Sequence, residues 1–161
     1  MRPDQRPMRR LPTLEARRDA LEKCVFCPKL CRTTCPVSNE EPRETLTPWG
    51  KMSMAYFSAH GDVDASESFA STAWACTGCR KCTDMCDHKN DVAGALYDAR
   101  SALVASGLAP KGARDVLGSF DAHVAKTDEG QKKLARETDA RADARTHVVV
   151  GCEYVHHAPE A

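Results

Sequence analysis

The 161 residues carry 23 basic and 23 acidic side chains, so the formal net charge is zero. Nothing in that balance argues for nucleic acid or an anionic membrane surface as the main partner. Nine cysteines would allow a disulfide scaffold. However, no apolar run follows Arg9-Arg10 to make an export signal, and no stretch of eighteen apolar residues offers a membrane span. The expectation is a cytoplasmic chain whose clustered cysteines stay reduced and bind metal.

In chain order, residues 1–12 are basic and punctuated by Pro3, Pro7 and Pro12, which predicts a mobile arm. Thr13 is placed to cap a helix running to Lys23, with Leu14 and Leu21 on one face, that delivers the chain to Cys24. The first cysteine run is Cys24-x2-Cys27-x3-Cys31-x3-Cys35-Pro36. A polar turn from Val37 to Pro42 follows it. Thr47 before Pro48 then marks a helix start, with proline in the first turn and Met52, Tyr56 and Ala59 on one face up to Gly61. Asp64 with Glu67 resembles a capping box for a helix through Phe69, Ala73 and Trp74 into Cys76.

The second run is Cys76-x2-Cys79-x2-Cys82-x3-Cys86. Past it, Asn90 or Asp91 can cap a helix carrying Val92, Leu96, Ala99 and Leu103 at near-helical spacing and ending near Gly107. A short helix is predicted from Lys111 to about Lys126, with Val116 or Leu117, Phe120 and Val124 on one side. Residues 127–145 are charged and alanine-rich, which predicts a solvated helix or connecting segment. Thr146 to Val150, before Gly151-Cys152, has the pattern of a buried strand with a glycine turn, the usual opening of an α/β unit.

The spacing of the second run is the one by which bacterial ferredoxins hold four-iron clusters, and the first run differs by one extra residue. In two-cluster ferredoxins the fourth cysteine of a run ligates the other cluster. The expected ligands are therefore Cys24, Cys27, Cys31 and Cys86 for cluster 1, and Cys76, Cys79, Cys82 and Cys35 for cluster 2. The cofactors would be two [4Fe-4S] clusters. Zinc is the competing reading, because Cys24, Cys27, Cys76 and Cys79 form two C-x2-C pairs. It leaves Cys31, Cys35, Cys82 and Cys86 without a role.

Asp87 stands where proline follows the first run, and with His88 it can either tune a cluster or face water. Trp49 and Trp74 can shield clusters or simply pack in the core. His147, His156 and His157 with Cys152 and Glu153 are a further set of metal-ligating types near the end. His60 is read as a helix-end residue, and no catalytic triad or phosphate loop is present. Since the small core leans on alanine and cysteine, the apo form is expected to be largely unfolded over residues 24–90.

Residues Cys24–Pro36, Thr45-Leu46-Thr47-Pro48-Trp49-Gly50-Lys51, Cys76–Cys86 and Val92–Arg100 resemble the N-terminal module of the (Fe–S)-binding oxidoreductase subunits. That family includes heterodisulfide reductase C/D-like proteins and the iron–sulfur subunits of glycolate oxidase and anaerobic glycerol-3-phosphate dehydrogenase. The resemblance implies a mainly α fold: an α-helical ferredoxin module with two [4Fe-4S] clusters over 13–106, after the arm 1–12 and before the connecting segment 107–145. It further implies that 146–161 is the start of a truncated CCG-like domain, with Cys152 as its first cysteine. The expected function is electron relay between a redox partner, a flavoprotein or other oxidoreductase subunit, and an acceptor, with no catalytic residue in the chain itself. One alternative is the front part of a heterodisulfide-reductase-like enzyme with its site around Cys152. Another is a zinc-stabilised interaction module.

Overall fold

Alternation of small and large apolar residues decides how the helices stack. The computed structural model describes residues 12–28, 30–138, 141–148 and 150–157, and the expected arm over residues 1–12 lies almost wholly outside them. The proposed cap by the Thr13 side chain lies outside them as well. The contacts divide the chain into two units, 1–110 and 111–161.

In the first unit a 3-10 turn, Pro12–Arg17, feeds α1 (Arg18–Val25), so the predicted first helix is present in two pieces. Leu14, Leu21 and Cys24 point inward from this stretch. After the 3-10 turn Leu30–Thr34 come α2 (Pro36–Glu40), a further 3-10 turn (Glu44–Leu46) and α3 (Pro48–His60). The start of α3 is as predicted: the Gly50 N–H donates to Thr47 Oγ1 at 2.9 Å, Pro48 occupies the first turn, and Gly61 ends the helix at φ 91°. The next helix, α4 (Glu67–Trp74), is capped by Ser66 instead of Asp64. Ser66 is extended and its hydroxyl accepts the Phe69 N–H at 3.3 Å, the geometry a cap requires.

A single turn, α5 (Lys81–Asp84), sits inside the second cysteine run. The long helix α6 (Val92–Ala105) is capped by Asp91, which accepts the Gly94 N–H at 3.1 Å. It ends in a Schellman arrangement: Leu108 N–H bonds Leu103 O, Gly107 N–H bonds Val104 O, and Gly107 takes the left-handed φ of 72°. The core is Leu14, Leu21, Met52, Phe69, Leu96 and Leu103, filled in by Ala55, Ala70, Ala73, Ala95 and Ala99. Alanine at these points lets α1, α3, α4 and α6 approach closely. Arg17 ties the entry turn to α6 through Asp98 at 2.6 Å and Asp91 at 3.3 Å.

In the second unit, α7 runs unbroken from Lys111 to Glu137, past the predicted end near Lys126 and into the segment read as a solvated helix or connecting segment. Good helix formers and the pairs Lys111–Asp115 and Lys133–Glu137, four residues apart, support its length. The strand expected over Thr146–Val150 is not present among the described residues, none of which forms a sheet, and Val148 is exposed. The chain instead forms α8 (Cys152–His157), which lies on α7. Gly130 makes the seat: a β-carbon there would stand 2.2 Å from Val155 Cγ1. Thr127 Oγ1 bonds His156 Nε2 at 2.8 Å, and the Gln131 amide donates to Val150 O at 3.1 Å.

Candidate metal centre

Each cysteine run is delivered by a helix and then bent around its own sulfurs. The last turn of α1 presents Cys24, the 3-10 turn after it presents Cys31, and Cys35 is extended just before Pro36 opens α2. Gly78 (φ 70°) and Arg80 (φ 61°) within the second run and Lys89 (φ 49°) just after it are left-handed. For arginine and lysine this conformation costs about 1–2 kcal/mol each, so the curl is enforced by its surroundings. Arg100 on α6 is one such constraint. Its guanidinium donates to Ala73 O at 3.1 and 3.0 Å, to Trp74 O at 3.4 Å and to Cys76 O, so it satisfies the open end of α4. It also lies over the Tyr97 and Trp74 rings.

Two neighbouring cavities collect the sulfurs. Cys24, Cys27, Cys31 and Cys86 line the first, with Trp49, Asp87, His88 and Asn90. Cys35, Cys76, Cys79 and Cys82 line the second, with Pro48, Lys51 and Arg80. Cys82 also borders the first, so the cavities adjoin. Cys152, the cysteine outside both runs, is exposed at the start of α8, in the other unit. His156 stacks on His123 and His157 lies 3.6 Å from Glu153. His147 is exposed. Of the tryptophans, Trp49 lines the first cavity and donates to Val25 O at 3.2 Å, whereas Trp74 lies beneath Arg100.

The thiols respond to this crowding. Burial, reinforced by Cys31, Cys86 and Cys27, pushes Cys24 up to about 12 against the opposing bond from Asn90. Cys82 is raised to about 11 by burial, then by Cys31 and Cys76. Burial also raises Cys31, opposed in part by the Trp49 N–H. Cys35 alone moves down. Burial raises it, but the Ser38 N–H, the Lys51 ammonium and the Ser38 hydroxyl together outweigh that effect. Without metal most of these thiols hold their protons, which a metal centre must displace.

Whether such sites fit an iron–sulfur cluster depends on room, thiolate count and N–H donors to sulfur. Four cysteines line the second cavity, and five line the first because Cys82 borders both. All eight sulfurs of the two runs line these adjoining spaces, more thiolates than one tetrahedral zinc site employs. Donors are in place: Asn90 Nδ2 lies 2.9 Å from Cys24 Sγ and also bonds Ala20 O at 2.7 Å. Lys51 Nζ lies 3.7 Å from Cys35 Sγ and 3.4 Å from Ala75 O. The first turn of α3, whose amides carry the positive end of the helix dipole, stands between the two cavities.

Residues 20–90 match the family model of the 4Fe-4S dicluster domain. This is an iron–sulfur protein. The match takes in both cysteine runs and less than half of the chain, and its cofactors are two [4Fe-4S] clusters. No curated protein and no solved structure matches the chain. No helix among the described residues is long and apolar enough to cross a membrane.

Sequence reasoning passed over three residues of this centre: Lys51 and Arg100 as participants, and Asn90 as anything beyond a helix cap. A buried lysine looks like any other lysine in sequence. The partners of Asn90 and Arg100 lie 24 to 70 residues away.

Proposed function

We propose that the chain is an electron-transfer module in which Cys24, Cys27, Cys31 and Cys86 hold one cluster and Cys76, Cys79, Cys82 and Cys35 hold the other. The single observation that carries this is the pair of adjoining cavities lined by all eight cysteines, each drawing sulfurs from both runs: Cys24, Cys27, Cys31 and Cys86 line the first, Cys35, Cys76 and Cys79 the second, and Cys82 borders both. A bound [4Fe-4S] cluster supplies a one-electron couple. The chain's own groups do the rest. The thiolates hold the clusters, Trp49 and the core keep water from the first site, and Asn90, Lys51 and the α2 and α3 amides orient donors toward sulfur.

On this reading electrons enter from a redox partner, a flavoprotein or another oxidoreductase subunit, and leave to an acceptor protein. The density of reduced thiols suits a cytoplasmic setting. A site around Cys152 is supported by no observation: it is the only cysteine of its unit and is exposed.

The test is electron paramagnetic resonance of the reduced, anaerobically purified protein with iron and sulfide quantitation. Two interacting four-iron signals are expected. A colourless preparation holding zinc in stoichiometric amount refutes the proposal.

A further inference from the structure

Both cavities offer thiolates and N–H donors, but they differ in one buried charge. Lys51 is 2% exposed and is among the largest fully buried side chains of the described residues. It enters from the first turns of α3 and ends 3.7 Å from Cys35 Sγ. It also donates to Ala75 O, the carbonyl just before Cys76. A buried lysine is rare unless something compensates its charge, and among the described residues no carboxylate is bonded to this one. The corresponding donor at the first cavity is Asn90, 7% exposed and neutral.

Lys23 and Asp87 line the first cavity and Arg80 the second, all exposed, where water and salt screen them. Arg100 is half-buried, and its guanidinium donates to the backbone carbonyls of Ala73, Trp74 and Cys76. The low-dielectric interior gives Lys51 far more weight than the exposed groups.

We infer that Lys51 is a positioning residue that sets the two clusters apart in potential, making the one held by Cys35, Cys76, Cys79 and Cys82 the easier to reduce. This rests on the ligand assignment proposed above. Adding an electron makes the cluster and its thiolates more negative by one charge. A fixed ammonium against Cys35 stabilises that state, whereas the Asn90 amide at Cys24 contributes only a neutral hydrogen bond. The electron therefore rests on the second site and reaches the first only after the second is filled. The compensating charge for the buried ammonium is the cluster itself, which explains why a lysine is tolerated there.

The test is a potentiometric titration of the full, cluster-loaded chain followed by electron paramagnetic resonance, in wild type, Lys51→Met and Asn90→Leu. Wild type is expected to reduce in two resolved one-electron steps. Lys51→Met should move only the upper step, downward, by a tenfold or greater change in its equilibrium, which is about 59 mV for one electron. Asn90→Leu should move only the lower step. Should Lys51→Met fail to load, Lys51→Gln, which keeps a donor without the charge, is measured in its place with the same expectation.

Two unresolved steps in wild type overturn the inference. An upper step that stays in place without the lysine, or one step that moves in both variants, overturns it too. Failure of the ligand assignment looks different: iron and sulfide then fall short of two four-iron clusters in wild type before any potential is read.

Discussion

Gly50→Ala separates two opposed physical effects at the point where α3 meets the cysteine runs. On helix propensity alone, alanine in place of glycine stabilises by up to about 1 kcal/mol. The structure argues otherwise. A β-carbon on Gly50 would stand 2.1 Å from Glu44 O and 2.9 Å from Glu44 C and Thr45 Cα, all backbone atoms. Ordinary carbon contacts lie near 3.5–4.0 Å, so the Glu44–Leu46 turn or the α3 start must move by more than about 1 Å. Overpacking of this kind costs about 1–3 kcal/mol, and it also loosens Thr47 from its cap.

The expected net loss is about 1–2 kcal/mol, on the order of a five- to thirty-fold change in the folded ratio. Pro48, Trp49 and Lys51 move with the helix, so cluster retention should fall with stability. The assay is the anaerobic rate of loss of the visible cluster absorbance at fixed urea, read beside helical circular dichroism. Gly118→Ala on α7, whose β-carbon meets nothing within 4 Å, is the control and should gain helix stability. A Gly50→Ala protein that bleaches as slowly as wild type refutes the reasoning.

Other substitutions probe the remaining supports. Asn90→Leu leaves Ala20 O and Cys24 without their donor and should cost about 1–3 kcal/mol, measured as a lower urea midpoint. Arg100→Met removes the donor to the end of α4 and to Cys76 O, so iron should be lost faster from the site that contains Cys76, as followed by chelator competition. Cys82→Ser should reduce iron and sulfide content, whereas Cys152→Ser should leave both unchanged, by direct quantitation. Stripping the iron should expose the amides of residues 26–35 and 76–89 to hydrogen exchange first, because no large apolar side chain of those loops is fully buried.

Local signals were legible where the deciding contacts are close in sequence. The Thr47-Pro48 start of α3, Gly61 at its end, Asp91 before α6 and Gly107 after it all act within a few residues. The signals misled where a neighbour decided. Asp64 and Ser66 both precede α4, and only the fitted backbone selects Ser66. The valines at 148–150 have strand character, but no strand forms among the described residues, and Cys152–His157 packs as α8 onto the notch at Gly130. For the charged segment beyond Lys126 the sequence left a solvated helix and a connecting segment open, and ion pairs and good helix formers carry α7 through it to Glu137.

What the sequence alone determined is the iron–sulfur character, because thiolates two or three residues apart are a local requirement of cluster binding and stand in the order of the letters. The tertiary fold alone decided which neutral or charged groups press on those sulfurs. Asn90 meets Cys24 across 66 positions and Lys51 meets Cys35 across 16, with both donors buried among helices. Burial is a property of packing, and it is burial that turns an ordinary lysine or asparagine into a strong electrostatic influence on the sulfur beside it.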